Sequence, residues 1–450
     1  MAMVTPRPIA RVLHQLGRIA PALGLRRAPA FFSNAASPGS PAGARVHARW
    51  PPGLAVGVGA GALLVSLLAV ASATPHPAGQ RPIALAALQV RADSLLAGLD
   101  PSTAVQERDV LVAPLANGRR AELTLDPALQ RHLQKLFQRY DVPYGAVVAL
   151  EPSSGRVRAY VSHSAANPMA GDLVRDPTPP AASVFKIVTG AALLDSGVGA
   201  SARVCYNGGF RRLDAVDLRD NPGRDRSCAT LSKAMGASIN TVFAKLADRH
   251  LDPSTLARYA DAFGFGQALP FDVATRPSPV EVPSDRLEFA RTAAGFWHVH
   301  MSPLHAALIS ATVANQGVMP RAALVDRVLD ADGKPLRALQ PEAFRPVIPA
   351  STARKLTAMM ERTVSEGTAH KAFFDNRDRP FLPGIRVAGK TGSLSANRPY
   401  RAYSWWVGFA PADNPQLAVA ALVVNTPRWR IKGSYVAREA LRYHLVEQRR

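Results

Sequence analysis

The sequence predicts an α/β (α+β) fold in which helices flank an antiparallel sheet, an all-helical segment is inserted, and an N-terminal transmembrane helix precedes the folded domain. Strand-like patterns occur near both ends of residues 121–450, and helical patterns fill roughly 200–320 between them. An uncharged run of 20 residues, 54–73, precedes this domain. With 450 residues, 47% of them hydrophobic and 19% charged, the chain can bury a sizeable core.

The first 50 residues contain seven arginines and no acidic residue, which predicts a disordered basic tail over 1–50. As a helix, the run 54–73 would span about 30 Å, the thickness of a bilayer core, so we predict a transmembrane anchor over 51–74. A mitochondrial transit peptide has a composition similar to the tail, but the long apolar run argues against one. Ala71-Ser72-Ala73 resembles a signal-peptidase site, so a cleaved signal remains the alternative.

The charge distribution predicts where the protein lies and what it contacts. The basic tail should stay in the cytoplasm, so we expect a single-pass protein of the inner or plasma membrane with its folded domain periplasmic or otherwise extracytoplasmic. The net charge of +21 predicts a surface that attracts anionic lipid or cell-wall polymer. No zinc-ligand spacing, RNA-binding aromatic signature or phosphate-binding glycine loop accompanies the charge, so we expect no nucleic acid partner. His298, His300 and His305 lack a Cys or carboxylate at ligand spacing, so we predict no metal.

The elements after the anchor follow from turn signals and periodicity. Residues 75–120 are predicted to form a weakly patterned juxtamembrane spacer with one helix near 84–99. Asp126-Pro127 begins a helix, because an N-cap with proline at the first helical position precedes apolar residues at helical spacing. Residues 145–150 and 156–161, joined by a turn, predict a β-hairpin. The later elements are a helix from Ser183 to near Gly197, strands at 385–388, 403–409 and 417–424, and a last helix from Gly433.

Ser183 and Lys186 are the first candidates for chemistry. Residues three apart on a helix share one face, so the amine would reach the hydroxyl and could activate it as a nucleophile. The preceding Pro179-Pro180 places Ser183 in the first turn, where unpaired backbone N–H groups can hold a developing oxyanion. Only nine of the 54 basic residues are lysines, which favours chemistry that needs an amine able to lose its proton. Taken alone, the pair fits the surface of an amphipathic helix equally well.

Cys205 and Cys228 are the two cysteines of the chain, and both fall in a polar, Gly- and Arg-rich segment predicted to be a loop. Two cysteines are too few for a disulfide scaffold, and their spacing does not suit a metal. We expect them to form a disulfide in an oxidising compartment and to stay unrelated thiols in a reducing one.

Two further motifs accompany the serine–lysine pair. Ser238-Ile239-Asn240 lies between two helical stretches, and Lys390-Thr391-Gly392-Ser393 lies at the start of a strand pattern. Ser-x-x-Lys, Ser-x-Asn and Lys-Thr-Gly in this order are the signature of class A β-lactamases and penicillin-binding proteins. The chain resembles the transpeptidase domain of penicillin-binding proteins over about residues 121–446, which implies a β-lactamase/transpeptidase-like fold. Further segments that carry the resemblance are Thr124-Leu-Asp-Pro-Ala-Leu-Gln130, Ser302-Pro-Leu-His305 and Ala314-Asn-Gln-Gly317.

The resemblance implies four catalytic residues. Ser183 would be the acylated nucleophile, and Lys186, with its proton affinity lowered by burial and nearby positive charge, would take the Ser183 proton. Ser238 would relay a proton to the leaving amine. Lys390 would add positive potential near Ser238 and the substrate carboxylate.

The resemblance also implies four substrate-binding residues. Asn240 would hold the substrate backbone, and the hydroxyls of Thr391 and Ser393 would bind its carboxylate. Gly392 lacks a side chain, so the substrate could lie against the strand as an added β-strand. The backbone N–H groups of Ser183 and Ser393 would form the oxyanion hole.

The function implied is that of a membrane-anchored peptidoglycan D,D-transpeptidase, in which Ser183 attacks the D-Ala-D-Ala carbonyl and the acyl-enzyme is resolved by a neighbouring stem peptide. Stem peptides and β-lactam antibiotics are the expected ligands, and no cofactor is expected. The spacer is too short for the large pedestal of monofunctional members, and no glycosyltransferase domain precedes the transpeptidase region. We therefore expect dependence on a separate glycan polymerase.

Three alternatives remain. A D,D-carboxypeptidase uses the same residues with water as acceptor, and the sequence barely separates the two. A β-lactamase is disfavoured, because no Glu-x-x-x-Asn occurs between Asn240 and Lys390. A non-enzymatic sensor of β-lactams or wall fragments is disfavoured, because the cytoplasmic side holds only a short basic tail.

Overall fold

The computed structural model of the chain describes residues 95–208 and 212–448. The predicted basic tail at 1–50, the anchor at 54–73 and residues 84–94 of the helix predicted near 84–99 lie outside the described residues. Within the described part of the chain, no helix is both long enough and apolar enough to cross a bilayer.

The strands are named in chain order: β1 (Val105–Glu107), β2 (Val110–Pro114), β3 (Arg120–Leu123), β4 (Tyr144–Leu150), β5 (Val157–His163), β6 (Arg203–Tyr206), β7 (Ser227–Thr230), β8 (Val318–Pro320), β9 (Val325–Leu329), β10 (Pro335–Ala338), β11 (Ala343–Pro346), β12 (Ala388–Asn397), β13 (Tyr400–Ala410) and β14 (Leu417–Asn425).

The α-helices are α1 (Pro127–Arg139), α2 (Lys186–Asp195), α3 (Leu231–Ala237), α4 (Asn240–His250), α5 (Pro253–Ala262), α6 (Arg286–Ala293), α7 (Pro303–Ala314), α8 (Ala350–Ser365), α9 (His370–Phe373) and α10 (Gly433–Arg442). Short 3-10 turns lie at Pro101–Thr103, Ala116–Gly118, Ala182–Phe185 and Ala215–Leu218, and a π-helical turn at Tyr443–Glu447 follows α10.

The central sheet has the strand order β12-β13-β14-β4-β5, and every neighbouring pair is antiparallel. Strands from both ends of the domain therefore meet in one antiparallel sheet, as predicted. All nine residues of β14 are buried, because helices cover both faces of the sheet and every residue of the strand before Asn425 is apolar. The strand predicted at 385–388 begins instead at Ala388 and continues to Asn397, so Lys390–Ser393 lie within β12.

Helices pack on the two faces of this sheet. On one face, Phe137 of α1 and Val436 of α10 share a buried cluster with Trp406 of β13. On the other face, Ile187 of α2 and Leu308 of α7 share a second cluster with strand residues of the sheet. Helices α3 to α7 lie between β7 and β8, which confirms the predicted helical insertion.

A second sheet, with strand order β1-β2-β3-β9-β10, was not predicted. The spacer prediction for 75–120 is wrong where the structure describes it, because β1 and β2 pair with β3, which in turn pairs with β9 of the same domain. All three residues of β1 are exposed, so this strand lacks the apolar alternation by which a sequence reveals a half-buried strand.

Cys205 and Cys228 form a disulfide, as expected for an oxidising compartment. The prediction of a loop around them is wrong, since they are directly paired residues of the antiparallel strands β6 and β7. Lys245 of α4 is buried beside them. Its Nζ donates to the Cys205 carbonyl at 2.9 Å and lies 2.5 Å from Asp225 Oδ2. The chain segment that the disulfide closes therefore supplies both the carbonyl and the carboxylate that bind the buried Lys245.

Replacing both cysteines by serine is expected to destabilise the domain by roughly 3 kcal/mol, because a loop of this length loses closure entropy in the unfolded state when it is cross-linked. Thermal unfolding followed by circular dichroism should show a Tm several degrees lower for the double variant. Dithiothreitol should lower the wild-type Tm by a similar amount and leave that of the variant unchanged. Equal Tm values for the two oxidised proteins would contradict the expectation.

Candidate active site

Ser183 lies in the 3-10 turn Ala182–Phe185 that leads directly into α2. The prediction of a helical first turn is therefore correct in position, although this turn is 3-10 rather than α. Ala182 has a φ of +50°, in the left-handed region, and the loop after α6 covers it. Gly295 permits this approach, because a Cβ at that position would overlap the Ala182 carbonyl. The backbone around the serine is thus fixed by a neighbouring loop.

Lys186, the first residue of α2, is fully buried beneath Ser183. Its Nζ lies 2.9 Å from Ser183 Oγ. The same nitrogen donates to Asn240 Oδ1 at 2.7 Å and to the carbonyl oxygen of Ala294. A neutral amine has two N–H donors and one lone pair, so these two acceptors use both donors and leave the lone pair for the serine hydroxyl.

The surroundings of Lys186 favour this neutral form. Burial is the main cause that lowers its pKa well below the ordinary lysine value, and the charge of nearby Lys390 lowers it further. The ring of Phe243, 5.6 Å from Nζ, and the apolar packing of α2 exclude water around the amine. An amine held neutral in contact with a hydroxyl can act as a general base.

Ser238 and Lys390 form a second hydroxyl–amine pair. Ser238 has a φ of +57° at the end of α3, and this left-handed residue turns the chain into α4, which begins at Asn240. Lys390 Nζ lies 2.8 Å from Ser238 Oγ and donates to the Thr391 carbonyl at 2.9 Å. Burial lowers the pKa of Lys390 to about 7.

Strand β12 forms the wall opposite Ser238 and is an edge strand of the central sheet, with β13 as its neighbour. Gly392 faces the nucleophile turn. A Cβ there would lie 3.1 Å from Val184 Cγ2 and 3.3 Å from the Ala181 carbonyl oxygen, so a larger residue would push the strand away from the turn. Thr391 shares a hydroxyl–hydroxyl hydrogen bond with Thr368, and Ser393 is exposed.

A cleft of about 710 Å³ collects these side chains. Ser183, Ser238, Asn240, Thr391 and Ser393 line it, while Lys186 and Lys390 are buried behind them. The structure therefore brings together all the predicted catalytic and substrate-binding residues in one place.

A family model described as the penicillin binding protein transpeptidase domain matches residues 145–444 of the chain. The chain belongs to this family. The resemblance inferred from the three motifs is confirmed.

Relatives of this penicillin-binding domain are moderately similar. The peptidoglycan D,D-transpeptidase PbpA of Mycobacterium tuberculosis H37Rv is 28% identical over 351 residues, which cover 68% of this chain and 68% of PbpA. Stage V sporulation protein D of Bacillus subtilis is 27% identical over 337 residues, covering 69% of this chain and 50% of that protein. The structure of penicillin-binding protein A from M. tuberculosis as an imipenem acyl-enzyme complex matches with a TM-score of 0.59 and 27% identity, over 72% of this chain and 79% of that one.

Some contacts in this penicillin-binding domain were not predicted. Asn240 is only 7% exposed and accepts from Lys186, so it positions the amine as well as lining the cleft. Thr368 and the carbonyl of Ala294 contact motif residues, and Trp429 and Lys432 line the cleft. None of these four belongs to a motif, and their approach depends on tertiary packing that residue spacing does not reveal.

The three histidines considered as metal ligands, His298, His300 and His305, have protein partners. His305 is buried with Nε2 2.8 Å from the Phe263 carbonyl, and burial lowers its pKa to about 4. His300 Nδ1 donates to the Thr178 carbonyl at 2.7 Å, and His298 Nε2 lies 2.9 Å from Glu288 Oε2. Across residues 95–208 and 212–448, no group of three or more His, Cys, Asp or Glu residues is arranged to hold a metal ion.

Replacing Lys390 by methionine is expected to remove part of the pH dependence of stability. Between pH 7 and 10 the unfolded lysine binds more protons than the folded one, whose pKa is about 7, so the contribution of Lys390 to stability rises with pH across this window. The free energy of unfolding in urea should therefore increase more from pH 7 to pH 10 in the wild type than in Lys390→Met. Lys355→Met, at an exposed position of α8, is the control and should follow the wild type. Parallel curves for wild type and Lys390→Met would contradict the assignment.

Proposed function

We propose that the protein is a peptidoglycan D,D-transpeptidase that cross-links stem peptides through an acyl-enzyme at Ser183, and that β-lactams acylate the same oxygen. One observation carries the proposal: the buried amine of Lys186 lies 2.9 Å from Ser183 Oγ and has Asn240 Oδ1 and the Ala294 carbonyl as its other partners. The family to which the chain belongs, and the activity for which PbpA is named, supply the substrate class.

Acylation would begin with the serine hydroxyl. Lys186 takes the proton as Ser183 Oγ attacks the carbonyl carbon between the two terminal D-Ala residues. The backbone N–H groups of Ser183 and Ser393 receive the developing oxyanion. When the C–N bond breaks, the leaving D-Ala amine gains a proton through Ser238, whose hydroxyl lies 2.8 Å from Lys390.

Deacylation would reverse these roles with a different nucleophile. An amine of a neighbouring stem peptide attacks the acyl carbon, the bond to Ser183 Oγ breaks, and the proton lost by the amine returns to the serine through the same groups. Thr391 and Ser393, whose side chains line the cleft, supply hydroxyls for the substrate carboxylate. The open edge of β12 accepts the substrate backbone as an added strand.

We further propose that residues 54–73 anchor the protein in the inner or plasma membrane, with residues 1–50 in the cytoplasm and the catalytic domain outside. The uncharged run and the seven arginines before it support this topology. The disulfide between Cys205 and Cys228 supports an oxidising compartment for the domain. A separate glycan polymerase would supply the strands to be cross-linked.

The proposal is tested with the full-length protein in detergent, a stem pentapeptide and a glycan-linked acceptor. Released D-Ala together with a cross-linked dimer is the expected result. Free tetrapeptide without dimer would identify a carboxypeptidase, and rapid release of hydrolysed drug after penicillin labelling would identify a β-lactamase. A stable penicillin adduct without turnover of any peptide would identify a sensor.

A further inference from the structure

A row of side chains crosses the central sheet from the cleft to a second groove. Gly392 and Leu394 are two residues apart on β12, so both lie on the sheet face that contacts the Ser183 turn. Cross-strand pairing then places Leu394 beside Tyr403, Tyr403 beside Val424, and Val424 beside Tyr144. Directly paired residues share a face, so this row is continuous over four strands.

Tyr403 is the boundary between the two spaces. It lines the active-site cleft together with Leu394, and it also lines a groove of about 260 Å³ on its other side. Strands β13, β14 and β4 form the floor of this groove, and the chain segment that leads to Ser183 forms its wall through Asp176 and Pro179. The groove thus adjoins the cleft on the side away from the open edge of β12.

Arg401 places a positive charge in this groove. Its guanidinium carbon lies 5.1 Å from the ring centroid of Tyr144, and its nitrogens donate to the Tyr144 hydroxyl at 3.3 Å and to the Tyr400 carbonyl at 3.0 Å. None of these partners is an acid, and among the described residues no ion pair neutralises Arg401. A guanidinium held in place by a ring and lacking a carboxylate partner is suited to bind one from a ligand.

Asp176 places a negative charge in the same groove. One of its oxygens forms a 3.2 Å ion pair with Arg276, whose side chain is 70% exposed, and the other accepts from the Thr178 hydroxyl at 2.7 Å. Burial raises the pKa of Tyr403, the charge of Arg401 lowers it and that of Asp176 raises it, so both charges act at the residue that borders the cleft. The groove therefore presents both signs of charge beside the entrance to the cleft.

We propose that this groove is the acceptor subsite, which binds a stem peptide carrying both a carboxylate and the amine that resolves the acyl-enzyme. Arg401 binds a carboxylate of the acceptor, and Asp176 attracts its cationic amine. The amine releases one proton to water, passes Tyr403 and, in its neutral form, reaches the acyl group on Ser183. This inference rests on the proposed function, since it names where the second substrate of that reaction lies.

Distance supports an acceptor peptide rather than a single amino acid. Arg401 is four residues along β13 from Trp405, the pairing partner of Gly392. Four residues of strand extend about 14 Å. A carboxylate at Arg401 and an amine at Ser183 therefore need a ligand that spans several residues, as a stem peptide does. The donor peptide occupies the open edge of β12, so the two substrates would approach the same carbonyl from different sides.

The test measures acceptor use separately from acylation, in the full-length protein. The donor is an N-acyl-D-alanyl thioester, whose acyl-enzyme partitions between water and amine. The acceptors are a stem tetrapeptide with free carboxylates and the same peptide with every carboxylate converted to carboxamide. In the wild type, the apparent KM for the free-acid acceptor should be lower than that for the carboxamide acceptor by about tenfold or more, because the carboxamide loses the charge-assisted hydrogen bonds to arginine.

Arg401→Gln should raise the apparent KM for the free-acid acceptor by about tenfold or more and leave that for the carboxamide unchanged. Arg401→Lys should recover part of the loss, and Asp176→Asn should raise the KM for both acceptors. Arg398→Gln, an exposed arginine of the same hairpin outside the groove, is the matched control and should behave as wild type. The rate of penicillin acylation reports whether each variant is folded.

Two outcomes would overturn the acceptor subsite. In one, Arg401→Gln is acylated normally and keeps the wild-type acceptor KM. In the other, the variant raises the KM of the donor thioester instead, which would make Arg401 a donor contact. A wild-type protein that is never acylated would instead refute the proposed function itself, so the two failures are distinguishable.

Discussion

Replacing Ser183 by alanine is expected to abolish covalent labelling by a fluorescent penicillin and to lower peptide turnover by about 10⁴-fold or more, the scale on which the loss of a covalent nucleophile acts. Its hydroxyl is the one beside Lys186, whose lone pair is directed to it by the contacts with Asn240 and Ala294. Labelling is measured by fluorescence after denaturing electrophoresis, and turnover by release of D-Ala.

Ser238 is the instructive comparison, because it also lies beside a lysine. Ser238→Ala should slow acylation yet still give a labelled band, since its hydroxyl transfers a proton and does not form the acyl bond. Ser196→Ala, an exposed serine at the end of α2, should label like the wild type. Labelling that survives in Ser183→Ala but disappears in Ser238→Ala would reverse the two roles.

Replacing Lys186 by methionine is expected to slow acylation by about 10²- to 10⁴-fold, the contribution of a positioned general base. Methionine preserves the apolar packing of the side chain but leaves the Asn240 and Ala294 oxygens without their donor. Lys186→Arg should not restore the rate, because a guanidinium stays protonated and cannot accept the serine proton. Stopped-flow acylation by a chromogenic β-lactam measures each rate.

The pH dependence of acylation shows which protonation state of Lys186 is active. Burial and the charge of Lys390 lower the pKa of Lys186, so the neutral amine forms at a pH well below the ordinary lysine value. The wild-type acylation rate should therefore rise with pH and level off far below pH 10, and this rise should disappear in Lys186→Met. Lys233→Met, at an exposed position of α3, is the matched control. An acylation rate that is unchanged in Lys186→Arg would contradict a role as base.

The sequence allowed the site to be predicted where chemistry imposes short spacings. Ser183 and Lys186 had to be three residues apart to share a face, and Lys390 to Ser393 had to lie on one strand. The distance between the motifs along the chain carries no geometric information, so their convergence was inferred from the family resemblance. The contact of Asn240 with Lys186 was not foreseen, because a single asparagine can serve either the substrate or a neighbouring side chain.

The fold was harder to predict where the buried residues follow no periodic pattern along the sequence. Strands β13 and β14 were recognised because they are long and mostly apolar, whereas β1 is short and exposed and was assigned to a spacer. Cys205 and Cys228 lie on strands of four residues in a polar segment, which hides the hairpin that joins them. Both errors have the same cause: stability there comes from tertiary contacts and the disulfide rather than from local periodicity.

The central claim, that the Ser183 oxygen forms the acyl bond, can be tested by peptide mapping of the penicillin-treated protein. Trypsin should release residues 176–186, which contain Ser183 as their one serine. Mass spectrometry should find the penicilloyl mass on this peptide, with fragment ions that place it at Ser183. An adduct on the peptide that contains Ser238, with residues 176–186 unmodified, would contradict the assignment.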